Sequence, residues 1–412
     1  MDYLRLNSFL KLGYFLDYIN HNYECNLSGI NKHKYSGINE EELVEIGTNI
    51  TKKAITDLFA KNSNNVVPIS GGFDSRAILA GLVECTDAKN IDTYTFGTPG
   101  TLDYEIGNFI AKKFGTNHYE IPLGEHVFTM DELIETSFRT DHQTVLFFTA
   151  PLTKMKAKYS NHINWSGAFA GPPTGNVLLK NPSLTVEEAK TKFINHKYSH
   201  VKSLKLTNCE DEELHKLLAM DFINSEILTY DEQLHINFAQ GKWIGPHLLM
   251  EGFNYQTPFM NQEWLNFMLS IENKYRIDQY LYKKILLRAY PIAFSYKTKS
   301  NYGCSLSTPQ SIVYIKRAVD KFKRSINKRR KYYTDPYTNY IDFNAGIRER
   351  KDLKKIIYEN VMDLTNRKLV EWIDIESIWK NHINKNGNFA DALLVLASLE
   401  IHLKAIESKR GE

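Results

Sequence analysis

The residues that point most directly to chemistry are two serines, two glycines and an aspartate in the run Ser70-Gly71-Gly72-Phe73-Asp74-Ser75. The run follows Val66-Val67-Pro68-Ile69, which predicts a strand, and its last two residues begin a predicted helix. Adjacent glycines let backbone N–H groups approach phosphate oxygens, and a helix N-terminus adds positive potential. We therefore predict a pyrophosphate-binding loop. The alternative is a strand-to-helix turn whose glycines serve geometry alone.

Asp74 is the expected metal ligand of this loop. A carboxylate beside a polyphosphate is repelled unless a cation lies between them, and Mg²⁺ prefers oxygen ligands of this kind. We therefore expect Asp74 to hold Mg²⁺ beside the phosphates of a nucleotide.

The pattern of apolar residues places the loop in a βαβαβ unit. It predicts strands at 66–69, 92–96 and 118–122, separated by helices at 75–85 and 103–114. Such a unit forms a parallel sheet with right-handed crossovers. A further strand, 162–165, delivers Ser166 and Gly167 to the sheet edge where ligands bind.

Three parts are expected along the 412 residues. Residues 1–60 form a helical lead-in, with a second helix over 40–59, and residues 61–180 form the α/β core. Residues 181–412 form a mainly helical region that completes the site. The fold class is thus α/β, with a parallel-sheet core and a helical C-terminal region.

Composition indicates an ordinary globular protein, with 42% hydrophobic and 24% charged residues and a net charge of +3. The first residues lack a basic segment followed by a long apolar core, so neither a signal peptide nor a membrane span is expected. The cysteines are scattered without metal-binding spacing, which predicts reduced thiols and a cytoplasmic location. They are Cys25, Cys85, Cys209 and Cys304.

Further segments follow the order of motifs in the synthetase domain of asparagine synthetases. These are Tyr94 to Gly100, Asp103 to Glu120, Ser166-Gly167, Tyr255 to Asn261, Tyr282 to Arg288 and Lys297 to Gly303. Over roughly residues 5–310 the chain therefore resembles the asparagine synthetase family. The resemblance implies an adenine-nucleotide α-hydrolase-like core, also called an ATP pyrophosphatase core.

The resemblance implies an ATP-dependent, AMP-forming amide ligase with Mg²⁺ as cofactor. A small-molecule or polymer-linked carboxylate would attack the α-phosphorus of ATP and release pyrophosphate. An amine or ammonia would then displace AMP from the acyl-adenylate. The absence of a GxxxxGK[ST] string argues against chemistry at the γ-phosphate.

The resemblance also assigns roles to individual residues. Ser70, Gly71, Gly72 and Ser75 would cradle pyrophosphate, and Asp74 would carry Mg²⁺. Lys299 would be the catalytic residue, stabilising charge on the α-phosphate. Nucleotide contacts would come from Pro68, Ile69, Phe96, Ser166 and Gly167, the first three lining the adenosine pocket partly through backbone groups.

Departures from the family pattern bear on the substrate and the amine donor. Glutaminase-bearing relatives place a cysteine after the initiator methionine, whereas this chain has Asp2. Glutamine hydrolysis is therefore not expected, and the amine would come from free ammonia, a separate donor or an amine substrate. Asn254, Gln256 and Asn261 also stand where the family often has charged residues, which argues against aspartate as the substrate.

The loop after Ser166-Gly167 has lost its acidic residues. Ala168 and Gly171 occupy positions where the family places carboxylates, the second of them a Mg²⁺ ligand. Candidates to compensate are Asp103, Glu105 and Asp141.

A basic segment at residues 316–331 contains nine Lys or Arg residues and the single acid Asp320. Tyr332, Tyr333, Tyr337 and Tyr340 follow. The segment is a candidate site for an anionic partner, such as a glycan, a peptide or RNA. The alternative is a solvated helix face.

Two other functions stay open. A sulfur-transferring ATP pyrophosphatase acting on RNA would need catalytic cysteines or a cluster, which the scattered thiols disfavour. A degenerate nucleotide-binding protein without turnover would explain the missing acids, but the intact glycine loop and Lys299 argue against it.

Overall fold

The computed structural model describes residues 2–19, 26–27, 29–197, 200–327 and 335–410. A five-stranded parallel sheet lies at its centre, in the order β3-β2-β1-β4-β5. The strands are β1 (Asn65–Pro68), β2 (Ile91–Gly97), β3 (Asn117–Pro122), β4 (Ile163–Trp165) and β5 (Asn254–Gln256). Val67 pairs with Thr93 of β2, and Val66 pairs with Asn164 of β4.

Helices make up most of the remaining described chain. They are α1 (Tyr3–Leu12), α2 (Glu40–Thr56), α3 (Asp74–Cys85), α4 (Leu102–Phe114), α5 (Met130–Arg139), α6 (Leu152–Tyr159), α7 (Gly171–Thr174), α8 (Val186–Lys192), α9 (Tyr230–Leu234), α10 (Gly245–Leu248), α11 (Gln262–Ser270), α12 (Asn273–Arg276), α13 (Tyr280–Ala289), α14 (Pro291–Ser295), α15 (Gln310–Asn327), α16 (Phe343–Glu349), α17 (Lys351–Asn366), α18 (Ile375–Ile383) and α19 (Ala390–Arg410). Two π-helical segments, Phe193–Lys197 and His235–Ile244, follow α8 and α9.

The predicted α/β fold class is confirmed. The four predicted strands and the helices between the first three are present, with ends that differ by one residue in most cases. Helix α2 ends at Thr56, three residues before the predicted end. Strand β5 was not predicted, because its three residues carry no apolar pattern and it lies beyond the predicted core segment.

The main hydrophobic core joins the sheet to helices that precede it and to helices that follow it in the sequence. Apolar side chains of α2, α3, α11 and α13 pack together with the sheet strands. Leu43 and Ile55 of α2 and Ile285 of α13 are fully or almost fully buried there. The lead-in helix α2 is therefore part of the core that supports the site.

A second core lies around the C-terminal helices. Helix α19 packs against α1, α5 and α17, and its apolar residues from Leu393 to Ile401 are buried. Among the described helices, none combines the length and the apolar composition that a membrane crossing requires.

Candidate nucleotide site

The glycine loop lies where the strand order of the sheet reverses. Strands β2 and β3 extend to one side of β1, and β4 and β5 extend to the other. Loops at the carboxyl ends of β1 and β4 therefore diverge and leave a crevice, which is where open α/β sheets bind ligands. Residues 70–73 leave β1 at this point, and Ser166 and Gly167 leave β4.

Local hydrogen bonds shape the glycine loop. The N–H of Gly72 donates to Ser70 Oγ (3.2 Å), and the N–H of Ser70 donates to Ser75 Oγ (3.3 Å). Neighbouring residues leave no room for a side chain at Gly71. A Cβ there would lie 2.9 Å from the Leu102 carbonyl oxygen and 2.9 Å from Lys299 Cβ. Glycine at position 71 thus lets the lysine segment approach the loop.

Lys299 is brought to this loop from far along the sequence. Its N–H donates to the Gly71 carbonyl (2.7 Å), and it sits in a tight turn closed by a hydrogen bond from Thr298 N to the Cys304 carbonyl (2.9 Å). Its Nζ forms an ion pair with Asp103, whose Oδ1 accepts a hydrogen bond from Gly71 N (3.2 Å). The Asp103 carboxylate thus binds both the N–H of Gly71 and the ammonium group of Lys299. Both of these donors are suited to a phosphate.

Arg76 anchors the segment that carries Lys299. This arginine of α3 is fully buried, and its guanidinium donates to the carbonyls of Ala293 (3.3 Å), Tyr296 (3.3 Å) and Lys297 (2.9 Å). Burial lowers the pKa of Arg76 to about 10, so it stays charged at neutral pH. No local sequence pattern marks Arg76 for this role, because its partners lie more than two hundred residues away.

Asp74 begins α3 and is partly buried. Its Oδ1 accepts a hydrogen bond from the hydroxyl of Tyr282 (2.9 Å), a fully buried residue of α13. Burial raises the pKa of Asp74 to about 6, and the hydrogen bond from Tyr282 opposes this shift. Gly167 packs closely against Asp74, since a Cβ on Gly167 would lie 2.9 Å from Asp74 Cβ.

The Asp74 carboxylate fits a Mg²⁺ ion that arrives with the phosphates of a nucleotide. Among the described residues, no group of three or more His, Cys, Asp or Glu side chains is arranged to hold a metal on its own. Mg²⁺ beside phosphates needs only one or two protein carboxylates, and a desolvated one with a raised pKa gains from a cation. Asp74 is a carboxylate of this kind at the glycine loop.

Of the three acids expected to compensate for the missing loop carboxylate, Asp103 is hydrogen-bonded to the glycine loop. Glu105 accepts a hydrogen bond from the N–H of Gly100 (2.7 Å) within its own turn. Asp141 follows α5 and interacts with Tyr18. Of the three acids, Asp103 is therefore the one that contacts the glycine loop.

A cavity of about 130 Å³ lies beside the loop, at the carboxyl ends of β1 and β4. Pro68, Phe96 and Ser166 line it, together with Tyr340 and His247. Its aromatic lining suits a flat ring. Burial lowers the pKa of His247 to about 4, so its imidazole is neutral at pH 7. Its Nδ1 is buried without a hydrogen-bond partner in the described part of the chain.

Ile69 does not line this pocket. Its side chain is 2% exposed and belongs to the main core. Its N–H donates to the Tyr94 carbonyl (2.8 Å), and its carbonyl accepts from Thr95 Oγ1 (2.8 Å). The structure thus brings Pro68, Phe96 and Ser166 together at the pocket and leaves Ile69 beneath it.

A late segment of the chain closes over the end of β2. Asn339 Nδ2 donates to the Phe96 carbonyl (2.9 Å), and the Thr98 N–H donates to the Asn339 carbonyl (2.8 Å). The Tyr340 ring lies 6.3 Å from that of Phe96. The sequence placed Tyr340 among the aromatics after the basic segment, whereas here it packs inward. No local signal predicts this contact.

The loop without acids has a packing role. Ala168 and Phe169 are 5% and 3% exposed, so a carboxylate at position 168 would be buried. Arg276 hydrogen-bonds to the carbonyls of Pro172 and Pro173 and forms a buried ion pair with Glu232.

Asn261 and Gln256, two of the uncharged residues expected near the acyl acceptor, make hydrogen bonds within the fold. Asn261 caps α11 through a hydrogen bond from the Trp264 N–H (3.1 Å). Gln256 belongs to β5, and its carbonyl accepts from the Ser166 N–H (2.9 Å).

The predicted basic segment is described only in part. Helix α15 carries Lys316, Arg317, Lys321, Lys323 and Arg324. Lys328, Arg329, Arg330, Lys331, Tyr332 and Tyr333 lie outside the described residues.

Comparison with known proteins gives one family match. The family model for asparagine synthase matches residues 61–159, which contain the glycine loop, β1 to β3 and Asp103. Ser166, Gly167 and Lys299 lie beyond the matched residues. No curated protein matches the chain. Over residues 61–159 the chain is thus similar to the asparagine synthase family.

Proposed function

We propose that this protein is an ATP-dependent, AMP-forming amide ligase. The family match supports ATP-dependent amide ligation in general. The observation that carries the more specific proposal is the junction of Lys299 with the glycine loop, through its backbone bond to Gly71 and its ion pair with Asp103. A cation fixed at a phosphate loop is suited to stabilise a phosphorus centre under attack.

In the proposed reaction, ATP lies with its base in the aromatic pocket and its phosphates on the glycine loop. Backbone N–H groups of Gly71 and Gly72 and the hydroxyls of Ser70 and Ser75 would bind the pyrophosphate that leaves. Mg²⁺ held by Asp74, with Asp103 beside it, would neutralise the charge of that pyrophosphate.

The acyl substrate would enter on the side of Lys299. Its carboxylate oxygen forms a bond to the α-phosphorus while the bond from that phosphorus to pyrophosphate breaks. Lys299 would transfer its interaction from Asp103 to the α-phosphate as negative charge develops there. The amine nitrogen then forms a bond to the acyl carbon, AMP leaves with the former carboxylate oxygen, and the amine loses a proton.

The surroundings favour an acyl substrate that is less charged than aspartate. Ala168 and the neutral residues Gln256 and Asn261 replace charges that the family often has, and the loop at 168–169 is buried. A small-molecule or polymer-linked carboxylate, with ammonia or an amine as acceptor, meets this requirement. Sulfur transfer is not favoured, because burial raises the thiol pKa of Cys85 and of Cys209, the opposite of an activated thiolate.

The test is to measure AMP and pyrophosphate formed from Mg-ATP with pools of carboxylates, each with and without ammonium or amines. AMP that requires both an acid and an amine is the expected result and identifies the substrate class. AMP formation without any need for an acid would contradict amide ligation. Tight ATP binding without AMP in any pool would favour a nucleotide-binding protein without turnover.

A further inference from the structure

Helix α15 exposes a continuous apolar stripe. Five apolar residues recur at intervals of three and four along its 18 residues, so they lie on one side of the helix. They are Ile312, Ile315, Val319, Phe322 and Ile326, each between 41% and 67% exposed. Large apolar side chains in an unbroken row on a surface usually mark a contact with another apolar body.

The opposite, polar side of α15 attaches the helix to the protein. Arg324 forms an ion pair with Asp335, and the hydroxyl of Tyr337 donates to Asp320 (2.8 Å). Val313 is the buried apolar residue of this helix. An amphipathic helix of a globular protein normally buries its apolar stripe, whereas α15 directs that stripe away from the body.

Positive charge flanks the stripe on one side. Lys316 and Lys323 follow stripe residues on this flank and are exposed, and Lys316 also forms an ion pair with Asp320. In an antiparallel pairing with a second copy, Lys316 and Lys323 would face their own counterparts and repel. The charge pattern therefore favours an anionic occupant that also offers an apolar interior, which a glycan or RNA lacks.

We propose that α15 binds the surface of a lipid bilayer that contains anionic lipids. The helix would lie in the plane of the interface, with Ile315, Phe322 and their neighbours among the acyl chains and the lysines at the phosphate groups. The proposal concerns peripheral binding and does not depend on the ligase function.

The experiment is co-sedimentation of the full chain with vesicles of phosphatidylcholine, with and without phosphatidylglycerol. We expect binding to the anionic vesicles that weakens with salt. The double substitution I315E/F322E should abolish it. Replacing Lys316 and Lys323 by glutamine should weaken it by roughly twenty-fivefold, since each basic residue near an anionic surface contributes about fivefold. Leu184→Glu, at an apolar residue that is 87% exposed on another surface, is the matched control and should bind as the parent does.

Thermal unfolding of each variant checks that the fold is intact, and light scattering reports the oligomeric state. Equal binding to both kinds of vesicle, or binding to neither, overturns the proposal. A dimer that I315E/F322E dissociates, without vesicle binding, would assign the stripe to a second copy of the chain. Vesicle binding that survives I315E/F322E would place the lipid contact elsewhere.

Discussion

Asp74 carries a carboxylate that is costly to the folded protein without a ligand. Burial raises its pKa from 3.8 to about 6, so the folded protein retains a proton that the unfolded chain releases between these values. Stability is therefore lost as pH rises through this window, and the full cost is present at pH 7. A bound cation would offset this cost.

Asp74→Asn should therefore separate stability from function. We expect the free energy of unfolding at pH 7 to rise by about 3 kcal/mol, and this gain to vanish below about pH 4. Mg²⁺-dependent AMP formation should be lost. Urea unfolding across this pH range and an AMP assay measure the two effects. Unchanged turnover would contradict the metal assignment, and a stability gain independent of pH would contradict the role of charge burial.

Lys299→Ala tests the proposed catalytic cation. ATP binding should change little, because the loop N–H groups and the pocket remain, whereas turnover should fall by about 10²–10³-fold. Lys297→Ala is the matched control, since Lys297 is an exposed lysine two residues earlier. Binding by calorimetry and AMP formation distinguish the outcomes. Equal losses of binding and turnover, or equal effects of the two variants, would argue against this role.

The residues next to the glycines could be predicted from the sequence, whereas their partners far along the chain could not. The loop residues and Asp74 follow from local spacing, and Lys299 follows from resemblance to a family motif. Tyr282, Arg76 and Asn339 act through contacts across more than two hundred residues, so no local pattern marks them. Ile69 was expected at the pocket and lies in the core, since one residue along a strand reverses the side-chain direction.

Helix α3 connects the glycine loop to the Lys299 segment through Arg76. Removing its guanidinium leaves the carbonyls of Ala293, Tyr296 and Lys297 without their donor in a buried site. Arg76→Ala should lower the free energy of unfolding by about 3 kcal/mol. It should also reduce turnover more than ATP binding, because the turn that carries Lys299 loses its support.

Arg288→Ala is the control for Arg76→Ala. Arg288 is 46% exposed and pairs with Glu41 and Glu45 on the surface, so its loss should cost less than about 1 kcal/mol. Urea unfolding of both variants makes the comparison. Similar costs for the two arginines would mean that Arg76 does not anchor the segment.

Elements with strong periodicity were predictable and short ones were not. Strands β1 to β3 and helices α3 and α4 repeat apolar residues over enough length to define their type. Strand β5 has three residues, and it is fixed by parallel pairing with β4 rather than by its own composition.

At the scale of the whole molecule, the α/β core depends on residues outside 61–180. Helices α2, α11 and α13 contribute to the same hydrophobic core as the sheet, and strand β5 pairs with β4 at the edge of the sheet. A fragment of residues 61–180 would expose this apolar surface to water. The division of the chain into residues 1–60, 61–180 and 181–412 remains a prediction. The isolated 61–180 fragment tests whether the middle part folds alone.

We expect the 61–180 fragment to lack a cooperative thermal transition, whereas the full chain should show one. Circular dichroism with heating measures this difference. A sharp transition in the fragment, with retained nucleotide binding, would show instead that the matched family segment is autonomous.

The late position of β5, Tyr282 and Lys299 has a consequence for synthesis of the protein. A ribosome adds about 5–20 residues per second, so β1 to β4 emerge well before the strand that covers the edge of β4. During this interval the nascent chain presents an unpaired strand edge, a known hazard for aggregation and a target for chaperones. Because the glycine loop acquires its lysine only after residue 299 has been translated, AMP formation rather than nucleotide binding would report that translation has passed this point.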